Sequence, residues 1–208
     1  TPERIASLMA EWVTGKNPQT ILDPAFGLGV FYDVLEQSVG RSSSDMKFIA
    51  YEIDSQILDC LAAQNSPHLE LRVRDYLEET LDRYDAIICN PPYIRFQNFL
   101  NRHSIVPLIE KQLGININGY TNVASVFLLK SLRELNKGGR LAYIMPFEFF
   151  NTGYGKDIKK ELLREGCLKQ IIFFENEKDI FADATTTVCI LFRANVSINA
   201  PIKISKVN

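Results

Sequence analysis

The chain has 208 residues, 46% of them hydrophobic and 23% charged, with a formal charge of −2, which suits one globular domain with a sizeable core. No apolar stretch reaches membrane-spanning length and no basic-plus-apolar leader opens the chain, so neither a membrane anchor nor a secretion signal is expected. The four cysteines, Cys60, Cys89, Cys167 and Cys189, form no C-x-x-C pair, and His68 and His103 are the two histidines. That pattern excludes a disulfide framework, a thiolate zinc set and a histidine-rich metal centre, and points to reduced thiols in a cytoplasmic protein. The negative balance argues against a domain that grips nucleic acid unaided.

Helical and strand signals then alternate. Thr1-Pro2-Glu3 reads as a helix opening with a threonine cap, and Ile5, Leu8, Met9 and Trp12 recur on one face until Gly15. Thr20-Ile21-Leu22 is a short strand, and Phe31, Val34, Leu35 and Val39 mark a helix. Phe48 to Tyr51 is a strand, followed by a helix through Ile57, Leu58 and Leu61. Leu69 to Val73 and Asp85 to Cys89 are the next two strands. Residues 94–120 show no clean period and read as one long irregular insert on the substrate side, carrying Arg95, Arg102 and Lys111 beside Phe96 and Phe99. Beyond it come a helix over Val126 to Leu135 stopped by Gly138-Gly139, a strand Leu141 to Met145, a helix Ile158 to Leu163, and strands Ile171 to Phe174 and Thr187 to Phe192. The alternation predicts an α/β sandwich with a mainly parallel sheet. A catalytic domain over 1–193 and the start of a linker over 194–208 are expected.

Four constellations at strand ends carry chemistry. Asp23-Pro24-Ala25-Phe26-Gly27-Leu28-Gly29 joins a strand to a helix, and its glycines let backbone approach a ligand closely. A glycine turn alone also fits a plain tight turn or a nicotinamide or flavin loop. Against the latter, Tyr32 stands where a third glycine would complete the fingerprint, and Asp23 would repel a pyrophosphate but attract an ammonium group. Glu52 closes the second strand 23 residues after Gly29, the usual place of an acid that holds ribose hydroxyls. Asp75, just past the third strand, can accept a hydrogen bond from an exocyclic adenine amine, or simply cap a turn. Asn90-Pro91-Pro92-Tyr93 follows the fourth strand. Two prolines fix that turn, leaving an amide, a rigid carbonyl pair and a ring that can hold a planar nitrogen group and aim its lone pair.

With these residues in this order the chain resembles S-adenosylmethionine-dependent amino-methyltransferases, most of all the adenine-N6 DNA methyltransferases of restriction–modification systems with gamma-type motif order. The resemblance covers nearly the whole chain. It implies a Rossmann-like class I methyltransferase sandwich with a mostly parallel seven-stranded sheet and one antiparallel strand near the C-terminus. It assigns cofactor binding to Thr1, Asp23, Pro24, Ala25, Phe26, Gly27, Gly29, Glu52, Ile53, Asp75, Tyr76 and Asn90. It assigns catalysis to Asn90, Pro91, Pro92 and Tyr93, with Phe181 helping to hold a flipped-out adenine. It implies double-stranded DNA as partner through a recognition domain outside this chain, together with a nuclease or specificity partner. Protein glutamine or ribosomal RNA amino-methyltransferases use similar turns, and a cofactor-binding subunit inactive alone is the non-enzymatic alternative.

Overall fold

The computed structural model describes residues 1–39, 46–57, 66–99, 102–117, 121–151, 155–164, 167–174, 188–196 and 200–207. Helices α1 (Glu3–Thr14), α2 (Val30–Val39), α3 (Arg102–Leu113), α4 (Val123–Glu134) and α5 (Gly155–Leu163) flank one sheet. Its strands are β1 (Thr20–Asp23), β2 (Lys47–Glu52), β3 (Leu69–Val73), β4 (Tyr84–Cys89), β5 (Leu135–Pro146), β6 (Leu168–Phe174), β7 (Val188–Ala194) and β8 (Lys203–Val207). They lie in the order β3-β2-β1-β4-β5-β7-β6-β8. Every pairing is parallel except those of β7 with β5 and β6.

Strand periodicity builds the two core layers. In β4, Ala86 and Ile88 pack with α1 and α2, while Ile87 and Cys89 pack with α3 and α4. Ala142 and Ile144 of β5 face the first layer; Leu141, Tyr143 and Met145 face the second. Strands buried on both faces read as unbroken apolar runs, and this is why they stand out in the sequence. β1 sits between β2 and β4, so sheet growth reverses there. Open α/β sheets bind ligands at such a switch point, outside the carboxyl ends of the strands.

Several local expectations are corrected. Pro2, not Thr1, occupies the cap of α1, and no side chain caps it. Leu8 is exposed, and Ala6, Ala10 and Val13 join Ile5 and Met9 on the buried face. Gly138-Gly139 does not stop a helix. α4 ends at Glu134 and passes directly into β5, whose pairing with β4 shifts register between Tyr84 and Ala86. A Cβ on Gly139 would lie 2.6 Å from the Asp85 carbonyl oxygen, so the close approach requires glycine. Residues 94–120 are not one irregular insert, because α3 lies within them and buries Ile105, Ile109 and Leu113. Among the described residues the sheet has eight strands where seven were expected: Lys203–Val207, read as the start of a linker, pairs in parallel with β6. The helix predicted through Leu58 and Leu61 lies outside the described residues.

Candidate active site

β1 delivers Asp23 into the interior, where it is 0% exposed. Its Oδ1 accepts from the Ala25 amide at 3.1 Å, and its Oδ2 has no hydrogen-bond partner among the described residues. Burial, with the nearby charge of Glu52 adding to it, pushes the Asp23 carboxyl up to about 8. The loop then folds onto the end of β2. The Phe26 amide donates to the Tyr51 carbonyl at 2.9 Å, and the Gly27 amide donates to Glu52 Oε2 at 2.9 Å. Gly27 and Gly29 take φ of +57 and +81. Nothing crowds a Cβ at Gly27, so it is the left-handed backbone that calls for glycine there. Glu52 Oε1 accepts from the Asp54 amide at 2.9 Å, so this one carboxylate braces both the glycine loop and the turn after β2.

A cavity of about 260 Å³ opens at the carboxyl ends of β1, β2 and β4. Pro24, Ala25, Gly27, Glu52, Ile53, Asp75, Tyr76, Asn90, Pro91 and Pro92 all line it. The structure thus brings together residues from four loops that the sequence placed separately. Asp23 lies beneath the loop and not on the cavity wall. Phe26 turns into the core against Phe48, with ring centroids 6.3 Å apart. The Gly29 carbonyl accepts from the Asp33 amide and starts α2. Phe181 lies outside the described residues. Tyr51, Arg74, Phe99 and Phe127 complete the lining. Phe99 was expected on the substrate side, within the insert; Tyr51, Arg74 and Phe127 were not singled out for the site, since each sits in or beside an element that looked purely structural.

After β3, Asp75 opens a short 3-10 turn over Tyr76–Glu78. Its Oδ1 accepts from the Leu77 amide at 2.8 Å, while Oδ2 is buried and has no hydrogen-bond partner among the described residues. Burial raises the Asp75 carboxyl above its ordinary range, opposed by the Leu77 hydrogen bond. A buried acceptor without a partner, on a residue that lines the cavity, fits a ligand that brings a donor.

At the end of β4, Asn90 is held from two sides. Its Nδ2 donates to Thr1 Oγ1 at 3.0 Å, and the Tyr93 hydroxyl donates to its Oδ1 at 2.7 Å. Thr1 therefore meets the Asn90-Pro91-Pro92-Tyr93 turn directly, a contact the sequence did not suggest. Pro91 is buried and Pro92 exposed. Beyond Tyr93 the chain is tied to the start of α4: the Val123 amide donates to the Ile94 carbonyl at 2.8 Å, and Arg95 bridges Asn122. Among the described residues no three His, Cys, Asp or Glu side chains are grouped to hold a metal ion, and no helix is long and apolar enough to cross a membrane.

A sequence model of the Eco57I restriction-modification methylases matches residues 37–181. The chain belongs to that family. Among its relatives, the type II methyltransferase M.AccI of Acinetobacter calcoaceticus is 36% identical over 211 residues, covering 100% of this chain and 38% of that protein. The type II methyltransferase M.HincII of Haemophilus influenzae is 31% identical over 196 residues, covering 91% and 35%. The Eco57I-type chain thus spans little more than a third of the length of these relatives. Its fold is that of class I S-adenosylmethionine-dependent methyltransferases. It superposes on a Listeria monocytogenes structure assigned to that class with a TM-score of 0.72 at 19% identity, covering 99% of this chain and 64% of the other. The type I restriction-modification methyltransferase subunit of Streptococcus thermophilus gives a TM-score of 0.72 at 18% identity, covering 93% and 44%.

Proposed function

We propose that this chain is the catalytic part of a site-specific DNA methyltransferase that carries a methyl group from S-adenosylmethionine to the N6 amine of a flipped-out adenine. One observation supports this above all: Asn90 stands on the wall of the same cavity as Glu52 and Asp75. Glu52 would accept from the ribose hydroxyls, and the open Asp75 Oδ2 would accept from the adenine amine of the cofactor. Asp23 acts from below, orienting the loop through Ala25. S-adenosylmethionine, when bound, supplies an electrophilic methyl group; the rest is done by the protein.

An aromatic exocyclic amine is a weak nucleophile because its lone pair is shared with the ring. Asn90 Oδ1 and the Pro91 carbonyl can each accept one of its N–H bonds, turn the nitrogen toward tetrahedral geometry and aim the lone pair. That is positioning and hydrogen bonding, with no strong base required. The Thr1 contact orients the Asn90 amide so that its oxygen, not its nitrogen, is the group on offer. Tyr93 already donates to that oxygen, which has a second lone pair for the incoming amine. Extruding the base costs a few kcal/mol, and stacking on the Tyr93 ring returns ~1–3 kcal/mol. Duplex DNA would be gripped chiefly by a recognition domain outside these residues, with a nuclease or specificity partner completing the system.

The test is methyl transfer by the full-length protein to duplex DNA, followed by nucleoside analysis. N6-methyladenine is expected. Asn90→Ala should lower the transfer rate by at least ~100-fold while leaving S-adenosylhomocysteine affinity within a few-fold. Methylglutamine in a protein substrate, or N4-methylcytosine in DNA, would replace the adenine reading.

A further inference from the structure

Lys130 is a lysine of α4 that the chemistry above does not use, and it is 0% exposed. Its Nζ donates to the carbonyl oxygens of Tyr76 at 2.5 Å and of Glu79 at 2.6 Å, and lies 4.3 Å from the centre of the Tyr76 ring. One turn further along α4, Glu134 Oε2 accepts from the Tyr76 hydroxyl at 2.5 Å, and Oε1 accepts from the Asp82 amide at 3.4 Å. Ser131, between them, lies 3.2 Å from the same hydroxyl. Tyr76 is therefore gripped at both ends, its carbonyl by Lys130 and its phenol by Glu134.

Burying a charged pair is weak evidence for stability, since apolar residues of similar volume often serve as well or better. Here the ammonium goes to the two carbonyls that bracket the 3-10 turn over Tyr76–Glu78. That turn also supplies the Leu77 amide that fixes Asp75 Oδ1. With Oδ1 fixed, the orientation of the open Oδ2 follows from where the turn sits. Phe127, on the same helix, packs on Tyr76 with ring centroids 5.2 Å apart and lines the cavity. One face of α4 thus sets the position of one wall of the pocket.

We propose that Lys130 and Glu134 are positioning residues for purine selectivity in the cofactor site. By holding the 76–78 turn, they present Asp75 Oδ2 as an acceptor for a 6-amino purine and set it against a 6-oxo purine, whose own acceptor would face it. This rests on the reading of the cavity as the S-adenosylmethionine site.

The experiment is calorimetric titration of the full-length protein with S-adenosylhomocysteine and with S-inosylhomocysteine, its 6-oxo counterpart. The unaltered protein should prefer the adenine form by at least ~100-fold, because a site built around a buried hydrogen bond rejects the analogue that lacks it. Lys130→Met should reduce that preference at least ~10-fold. The charge-balanced double variant Lys130→Met/Glu134→Gln, which leaves no acid stranded, should do the same and serves if the single variant does not fold. A preference ratio unchanged in folded variant protein, whatever happens to the melting temperature or to both affinities together, overturns the positioning role and leaves the cofactor reading intact. Absence of S-adenosylhomocysteine binding by the unaltered protein overturns the cofactor reading itself, and this inference with it.

Discussion

Asp23 carries a cost that the fold accepts at every pH above its ordinary range. Its carboxyl titrates near 3.8 when exposed and is pushed up to about 8 in the folded chain. Between those values the folded state keeps a proton that the unfolded chain has lost. Asp23 therefore favours the fold most below about pH 4, and that contribution is lost progressively as pH rises toward 8, at up to ~1.4 kcal/mol per unit. Urea unfolding between pH 5 and pH 8 should show stability falling with pH, and Asp23→Asn should flatten that slope. Identical slopes in the two proteins would show that Asp23 is ionised in the fold. At this scale the sequence was a good guide to which residues line the cavity, because glycines, prolines and acids at strand ends are placed by local chemistry. It could not show that Thr1 would meet Asn90, 89 positions away. Nor could it show that Lys130 would turn inward, because a lysine in an apolar helix reads as a solvated residue unless its tertiary neighbours are known.

The strands were legible as elements, since Ala86-Ile87-Ile88-Cys89 and Leu141 to Met145 are apolar on both faces. The segment after the Asn90-Pro91-Pro92-Tyr93 turn was not. Pro107 inside α3 removes a backbone donor and crowds the preceding turn, which normally ends a helix. Here burial of Ile105, Ile109 and Leu113 overrides it. Their spacing of four was the signal available, and the proline concealed it. Likewise β8 holds two lysines and a serine on an exposed sheet edge, a pattern closer to a linker than to a strand. With Pro107 inside α3, Pro107→Ala should stabilise the chain by ~1–3 kcal/mol, raising the melting temperature by roughly 2–4 °C per kcal/mol for a protein of this size. A substitution without effect in a thermal melt would mean that the stretch is not helical.

At the scale of the whole molecule, the function proposed above divides cofactor and DNA roles along the chain. Every group proposed to hold S-adenosylmethionine lies within these 208 residues, and the four loops that carry them are braced by contacts made inside the domain. Duplex DNA is different. Affinity for its phosphates comes from accumulated positive charge, with each phosphate neutralised contributing to the salt dependence. This chain has a net charge of −2. The relatives it matches extend over more than twice its length. The 208-residue chain alone should therefore bind S-adenosylhomocysteine about as tightly as the full-length protein does. It should bind duplex DNA no better than non-specific association, on the order of 10⁻⁴–10⁻⁶ M at physiological salt. Fluorescence anisotropy with a labelled duplex, run beside calorimetry on the same sample, separates the two. Tight, sequence-selective DNA binding by the isolated chain would place recognition on these 208 residues themselves, and the exposed stretch Tyr93, Ile94 and Arg95 would then have to supply it.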